Sequence, residues 1–159
     1  MKSIRNCTIR TFALAAVSAL ALSVAPAAMA DSKGCSNATL HGSFAFKGTG
    51  VIVSPPVVAG PLATVSTLVF DGQGGVTSAV GSTSQNGNIG PQTEAGTYTV
   101  KPDCTGTYMV VITPGGFTAH YLFVIDESGD ELQIICTDSG VVFSGSARRQ
   151  FPLGDWRNY

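Results

Sequence analysis

The sequence predicts an all-β fold, an eight-stranded antiparallel up-and-down barrel, and three observations carry that prediction. Residues 94–149 hold five consecutive strand-like segments with only tight-turn residues between them. Consecutive strands on such short connections pair antiparallel with their neighbours. Three more strand-like segments precede them, and most of the eight alternate apolar with polar residues. Eight strands with one greasy face close into a barrel that leaves no exposed edge. A two-sheet sandwich is the alternative way to bury the same faces.

In chain order, residues 1–30 read as a signal peptide. Lys2, Arg5 and Arg10 make a basic start, an apolar run rich in Ala and Leu follows, and Ala28-Met29-Ala30 supplies a small-x-small cleavage signature. Cleavage after Ala30 leaves residues 31–159 as one domain, secreted or periplasmic. No later apolar run is long enough to span a bilayer as a helix. Three of the nine Lys and Arg lie in that leader, so six face ten Asp and Glu in the remainder, a net charge of −4. Such mild acidity gives no electrostatic footprint for nucleic acid.

The predicted strands are 42–53, 62–71, 76–85, 94–101, 105–113, 117–126, 131–137 and 141–149. Pro55-Pro56 and Gly60-Pro61 bracket the first loop, and Asp71-Gly72-Gln73-Gly74-Gly75 turns the second strand into the third. Asn86-Gly87-Asn88 opens a polar connection through Gln92. Pro102-Asp103, Pro114-Gly115-Gly116, Ser128-Gly129-Asp130 and Ser139-Gly140 punctuate the rest. One helical turn is expected at 36–40.

Alternation picks out the buried faces: Phe44 with Phe46, Leu68 with Phe70, Tyr98 with Val100, and the series Phe117, Ala119, Tyr121, Phe123 and Ile125. Leu132, Ile134 and Cys136 follow, then Val141, Phe143, Gly145 and Ala147. Residues 108–112 and 122–124 are apolar on both faces, so something must cover their outer sides. The C-terminal segment 150–159, with Phe151, Leu153, Trp156 and Tyr159, is one candidate. A symmetric partner subunit is the other, which would make the protein a homo-oligomer.

Of four cysteines, Cys7 leaves with the leader. An oxidising compartment favours one disulfide among the remaining three. Cys35 and Cys104 both sit at strand margins, and this pair is favoured over Cys104–Cys136. Closing a loop of that length stabilises by roughly 4 kcal/mol in the chain-entropy model. Cys136 shares the face of Leu132 and Ile134 and reads as a buried small hydrophobe.

Four stretches together resemble a group of small secreted bacterial proteins: CSNATLHGSF at 35–44, LVFDGQGGV at 68–76, GTYTVKPDCTGT at 96–107 and TDSGVVFSG at 137–145. The resemblance implies a small barrel of the lipocalin (calycin) or allene oxide cyclase type. It also places Cys35 and Cys104 within the shared motifs, with Cys136 as a local departure. Fold likeness does not carry function with it.

Catalytic spacing is missing. His41 and His120 are the only histidines, and no Cys-x-x-Cys, His-Glu-x-x-His or Gly-x-Ser-x-Gly motif occurs. No cofactor or metal is implied, although the carboxylates of Asp126, Glu127, Asp130 and Glu131 gather in one turn, where a weak Ca²⁺ site is conceivable against simple solvation. Arg148 and Arg149 end the last strand, where solvation is the plain reading and an anion grip the sharper one. Phe44, Phe46, Phe70, Tyr98, Phe117, Tyr121, Phe123 and Phe143 are the ligand-pocket candidates. They either line a cavity for a small apolar ligand or fill the interior. The expected function is therefore a non-enzymatic binding barrel. The alternatives are an envelope interaction module that self-associates and an allene oxide cyclase-like enzyme. A membrane-spanning barrel fits poorly, because the polar faces carry Thr, Ser, Gln, Lys and Arg instead of an apolar band.

Overall fold

The structure, a computed structural model, describes residues 34–150. Nine strands follow a 3₁₀ turn at Asn37–Thr39: β1 (His41–Ile52), β2 (Gly60–Asp71), β3 (Gly75–Gln85), β4 (Asn88–Pro91), β5 (Thr93–Val100), β6 (Thr105–Thr113), β7 (Phe117–Ile125), β8 (Glu131–Cys136) and β9 (Val141–Arg149). Each strand pairs antiparallel with the next around the molecule, β4 excepted. β9 then returns beside β1, from Phe44↔Arg149 to Ile52↔Val141. That last ladder closes the sheet, so the architecture is the eight-stranded up-and-down barrel and not the two-sheet sandwich.

The extra strand corrects one expectation. Asn86-Gly87 does not open a loose connection; it is a two-residue hairpin turn with Gln85 opposite Asn88. Both central residues have positive φ, 52° and 81°, as the hairpin turn that matches strand twist requires. β4 and β5 then run one after the other along the same flank of β3. β4 covers Ser82–Gln85 and β5 covers Gly75–Ser78, with the Gln92 amide donating to the Gly81 carbonyl between them at 2.9 Å.

The alternating residues point inward as expected. Phe44, Leu68, Val110, Leu132 and Ala147 are fully buried, and Phe70, Tyr98, Tyr108, Phe123 and Ile134 nearly so. Curvature comes from glycine placed where a ring must lie over the neighbouring strand. Gly48 faces Gly145 across the β1–β9 ladder, and a Cβ on Gly48 would stand 2.1 Å from the Phe143 ring. Gly106 faces Phe123 in the same manner, with 2.2 Å left for a Cβ. Glycine in a strand interior marks such a close approach.

One end of the barrel carries a lid. Cys35 and Cys104 form the disulfide, with 4.9 Å between their Cα atoms. Asn37 accepts the Val100 amide at 2.8 Å and donates to the Gln73 carbonyl at 3.2 Å. The Tyr98 hydroxyl lies 2.9 Å from the carbonyls of both Asn37 and Leu40, and Leu40 drops fully buried into the core beneath. The segment therefore spans the β2–β3, β5–β6 and β9 ends of the same rim.

Candidate functional site

The interior holds two groups of touching rings. Next to the lid, Phe44, Phe70 and Tyr98 meet edge to face at centroid separations of 5.3 and 5.1 Å. Midway, Tyr108 stacks on Tyr121 at 4.4 Å, Tyr121 meets Phe143 at 6.0 Å, and Phe143 meets Phe46 at 6.2 Å. Phe123 approaches Tyr108 at 6.2 Å. These are ordinary aromatic packing distances. Of the eight ligand-pocket candidates, seven converge in the interior, where each touches another ring, as in a packed core. Phe117 is the exception: it has the inward phase but sits past the end of the core, 61% exposed, folded against the Gly115 turn.

Arg149 is also corrected. Its side chain is 5% exposed, and neither solvates an edge nor waits for an anion. It pairs with Asp130 at 2.8 Å, donates to the carbonyls of His41, Thr39 and Gly129, and lies 4.6 Å over the Phe44 ring. Its donors tie the end of the lid and the start of β1 to the β7–β8 turn. The acidic turn is likewise self-contained. Asp126 accepts the Ser128 hydroxyl and the amides of Asp130 and Glu131, which hold its carboxyl below the usual range. Among the described residues no three His, Cys, Asp or Glu side chains converge as metal ligands.

Away from the lid the interior turns polar. Thr64 and Ser66 from β2, Ser78 from β3 and Glu94 from β5 all take inward positions. Glu94 is only 5% exposed, and its carboxyl receives one long hydrogen bond, from Ser66 at 3.4 Å. Burial raises its pKa, which a single weak donor does little to offset. Burial also lifts both tyrosines well above the phenol range, reinforced at Tyr108 by Tyr121 and then Glu94, and at Tyr121 by Glu94. Sequence reading missed Glu94, although it is in phase with Tyr98 and Val100 on the same strand.

His120, Asp138 and Cys136 also meet, but in an order unsuited to nucleophilic catalysis. Asp138 sits between the other two, 2.7 Å from His120 Nδ1 and 3.7 Å from Cys136 Sγ. The thiol is half-buried, and burial pushes its pKa up. A reactive cysteine needs an electropositive setting that lowers it.

A concavity of about 840 Å³ lies on the outer wall where β1, β9, β8 and β7 run side by side. Its floor is Leu122, Val124 and Ile135, each about half exposed, and its rim includes Lys47, Gln133 and Ser144. Leu122 and Ile135 are direct cross-strand partners. Met109 and Val142 extend the same apolar band on either side. The outer apolarity expected at 108–112 and 122–124 is therefore present. Of the two covers expected for it, the C-terminal segment 150–159 lies outside the described residues from Phe151 onward.

A solved structure of a redesigned β-barrel is similar to this chain, with a TM-score of 0.50, 14% sequence identity, and coverage of 72% of this chain and 95% of that one. The likeness concerns the fold alone. No protein-family model matches the chain, and no curated protein matches it.

Proposed function

We propose that this protein is an exported, non-enzymatic β-barrel that serves as an interaction module, binding an apolar segment on its outer wall. The observation that carries the reading is the contrast between an interior whose rings touch one another and an outer wall with a groove of about 840 Å³ floored by Leu122, Val124 and Ile135. An exposed contiguous apolar patch with a polar rim is the usual mark of an interaction surface. Export is supported by the basic, apolar and small-x-small pattern of residues 1–30 and by the Cys35–Cys104 disulfide. Among the described residues no helix is long and apolar enough to cross a membrane.

Thermal-shift titration with fatty acids and with short apolar peptides tests the reading. Stabilisation by a peptide that disappears in Ile135→Asp and persists in Phe46→Leu supports the outer wall. Stabilisation that follows the interior substitution instead overturns it.

A second reading keeps a small ligand inside, in the polar half of the barrel. Its support is Glu94, whose raised pKa favours a neutral carboxylic acid able to donate a hydrogen bond to a ligand acceptor. The same substitutions separate the two. An allene oxide cyclase-like activity would need that interior space for its substrate, so it stands or falls with this second reading.

A further inference from the structure

We propose that the end of the barrel away from the lid is a membrane-docking surface, which seats its apolar loop tips among the head groups of a zwitterionic lipid surface without crossing it. This is a different face from the outer wall, and neither reading depends on the other.

Strand direction decides which connections meet there. Successive strands around the barrel run in opposite directions, so the β1–β2 loop, the Asn86-Gly87 hairpin with β4, the β6–β7 turn and the β8–β9 turn all lie opposite the disulfide. Three of these four connections carry apolar tips: Val53 and Val57, then Ile89, then Phe117. Val57 is 89% exposed and Ile89 80%, well beyond the half-exposed floor of the outer wall.

Charge is distributed in the opposite sense. Each of the three turns at the lidded end is charged: Asp71, then Lys101 with Asp103, then Asp126, Glu127 and Asp130. The four connections at the other end hold one ionisable carboxylate, Asp138, and no Lys or Arg. Asp138 is already engaged, accepting the His120 amide at 2.9 Å and meeting its ring Nδ1 at 2.7 Å. A protein partner is held in register by complementary charges, which this end does not offer. A head-group layer takes up separate apolar tips with no demand for matching shape.

The main cost of entering such a layer is a backbone group left without a partner. Here the loops satisfy themselves. The Val53 and Ser54 amides donate to the Gly140 carbonyl at 2.8 and 3.2 Å, and the Val58 and Ala59 amides donate to the Pro55 and Pro56 carbonyls at 3.2 Å each. Pro55, Pro56 and Pro114 have no N–H to lose. The side-chain amides of Gln85 and Asn86 donate to the Val58 and Ala59 carbonyls at 2.7 and 2.8 Å. The same bonds join the β8–β9 turn, the β1–β2 loop and the β3–β4 hairpin, so their tips are presented as one unit.

Flotation of the exported protein with vesicles of pure phosphatidylcholine tests the proposal. We expect binding that is the same at 0.1 and about 0.5 M salt and does not increase when anionic phosphatidylglycerol is added, because no cation faces the lipid. Phe117→Ser and Ile89→Ser should each weaken it about tenfold, and Val57→Ser/Ile89→Ser should abolish it. Ile135→Asp should leave it unchanged. The tips are exposed, so these variants should keep the wild-type circular dichroism and urea midpoint. No binding to any vesicle, binding that needs anionic lipid and vanishes in salt, or binding that survives the double tip variant overturns the proposal. Self-association without lipid that the tip substitutions abolish also overturns it, and assigns this end to a second copy. The outer-wall reading is judged separately, by whether Ile135→Asp removes the stabilisation that an apolar peptide gives.

Discussion

The two halves of the barrel interior treat buried polar groups in opposite ways. At the lidded end Arg149 is buried with Asp130, three carbonyls and the Phe44 ring around it. At the other end Glu94 is equally buried with one long hydrogen bond from Ser66. A buried charge is tolerated when every hydrogen-bonding position is used, and is costly otherwise. The lidded half is thus over-determined by covalent, apolar and charged contacts together. The other half carries an acid whose comfort depends on remaining protonated. Function that needs give belongs in the second half or on the outer wall, not under the lid.

Cutting the lid should produce the largest effect. The double substitution Cys35→Ala/Cys104→Ala removes a 69-residue loop closure, and a loss of about 4 kcal/mol is expected from urea unfolding. Arg149→Ala should cost about 3 kcal/mol, because it empties a site where three carbonyls and the exposed-side carboxylate of Asp130 lose their donor. A loss under about 0.5 kcal/mol for Arg149→Ala would mean that the lid carbonyls are satisfied by water, and the contrast between the two halves would weaken. Leu40→Ala, which opens a cavity beneath the lid, should cost about 2–3 kcal/mol. Tyr98→Phe removes only the hydroxyl shared by the Asn37 and Leu40 carbonyls and should cost about 1–2 kcal/mol.

The parts legible in the sequence were those with strict period two. From Phe117 to Arg149 the alternation and its turn residues locate three strands to within a residue. The two-sided apolarity at Leu122 and Val124 correctly foretells an outer apolar surface. Less legible was anything whose meaning depends on a distant strand. Arg149 and Glu94 both occupy inward-phase positions near strand ends, yet Arg149 reads as a solvated strand end and Glu94 draws no reading at all. Only the lid above one and the opposing β2 strand beside the other make them buried. Asn86-Gly87 is a strong local hairpin signal, masked because the strand after it is only four residues long. Phe117 fails for the converse reason. Its phase is right, but the barrel core ends one residue pair short of it.

Glu94→Gln should have the smallest effect and the opposite sign, and its pH dependence sharpens the comparison most. Burial places the Glu94 pKa in the folded protein above that of the unfolded chain. The native state therefore binds the proton more tightly, and stability falls as pH rises from the ordinary carboxylate range through the raised value. Below the unfolded pKa, about 4.3, wild type and Glu94→Gln should be equally stable. By pH 7.5 the glutamine variant, which cannot ionise and still offers Ser66 an acceptor, should be the more stable by about 1 kcal/mol. The depressed carboxyls of Asp71, Asp103 and Asp126 act in the opposite direction, contributing stability at neutral pH that fades in acid. They are common to both proteins and cancel in the difference. Urea unfolding of the pair at pH 3.5 and 7.5 measures that difference directly. A glutamine variant less stable than wild type at pH 7.5 would show the Glu94 carboxylate to be ionised and well served, which would make the two halves of the barrel alike.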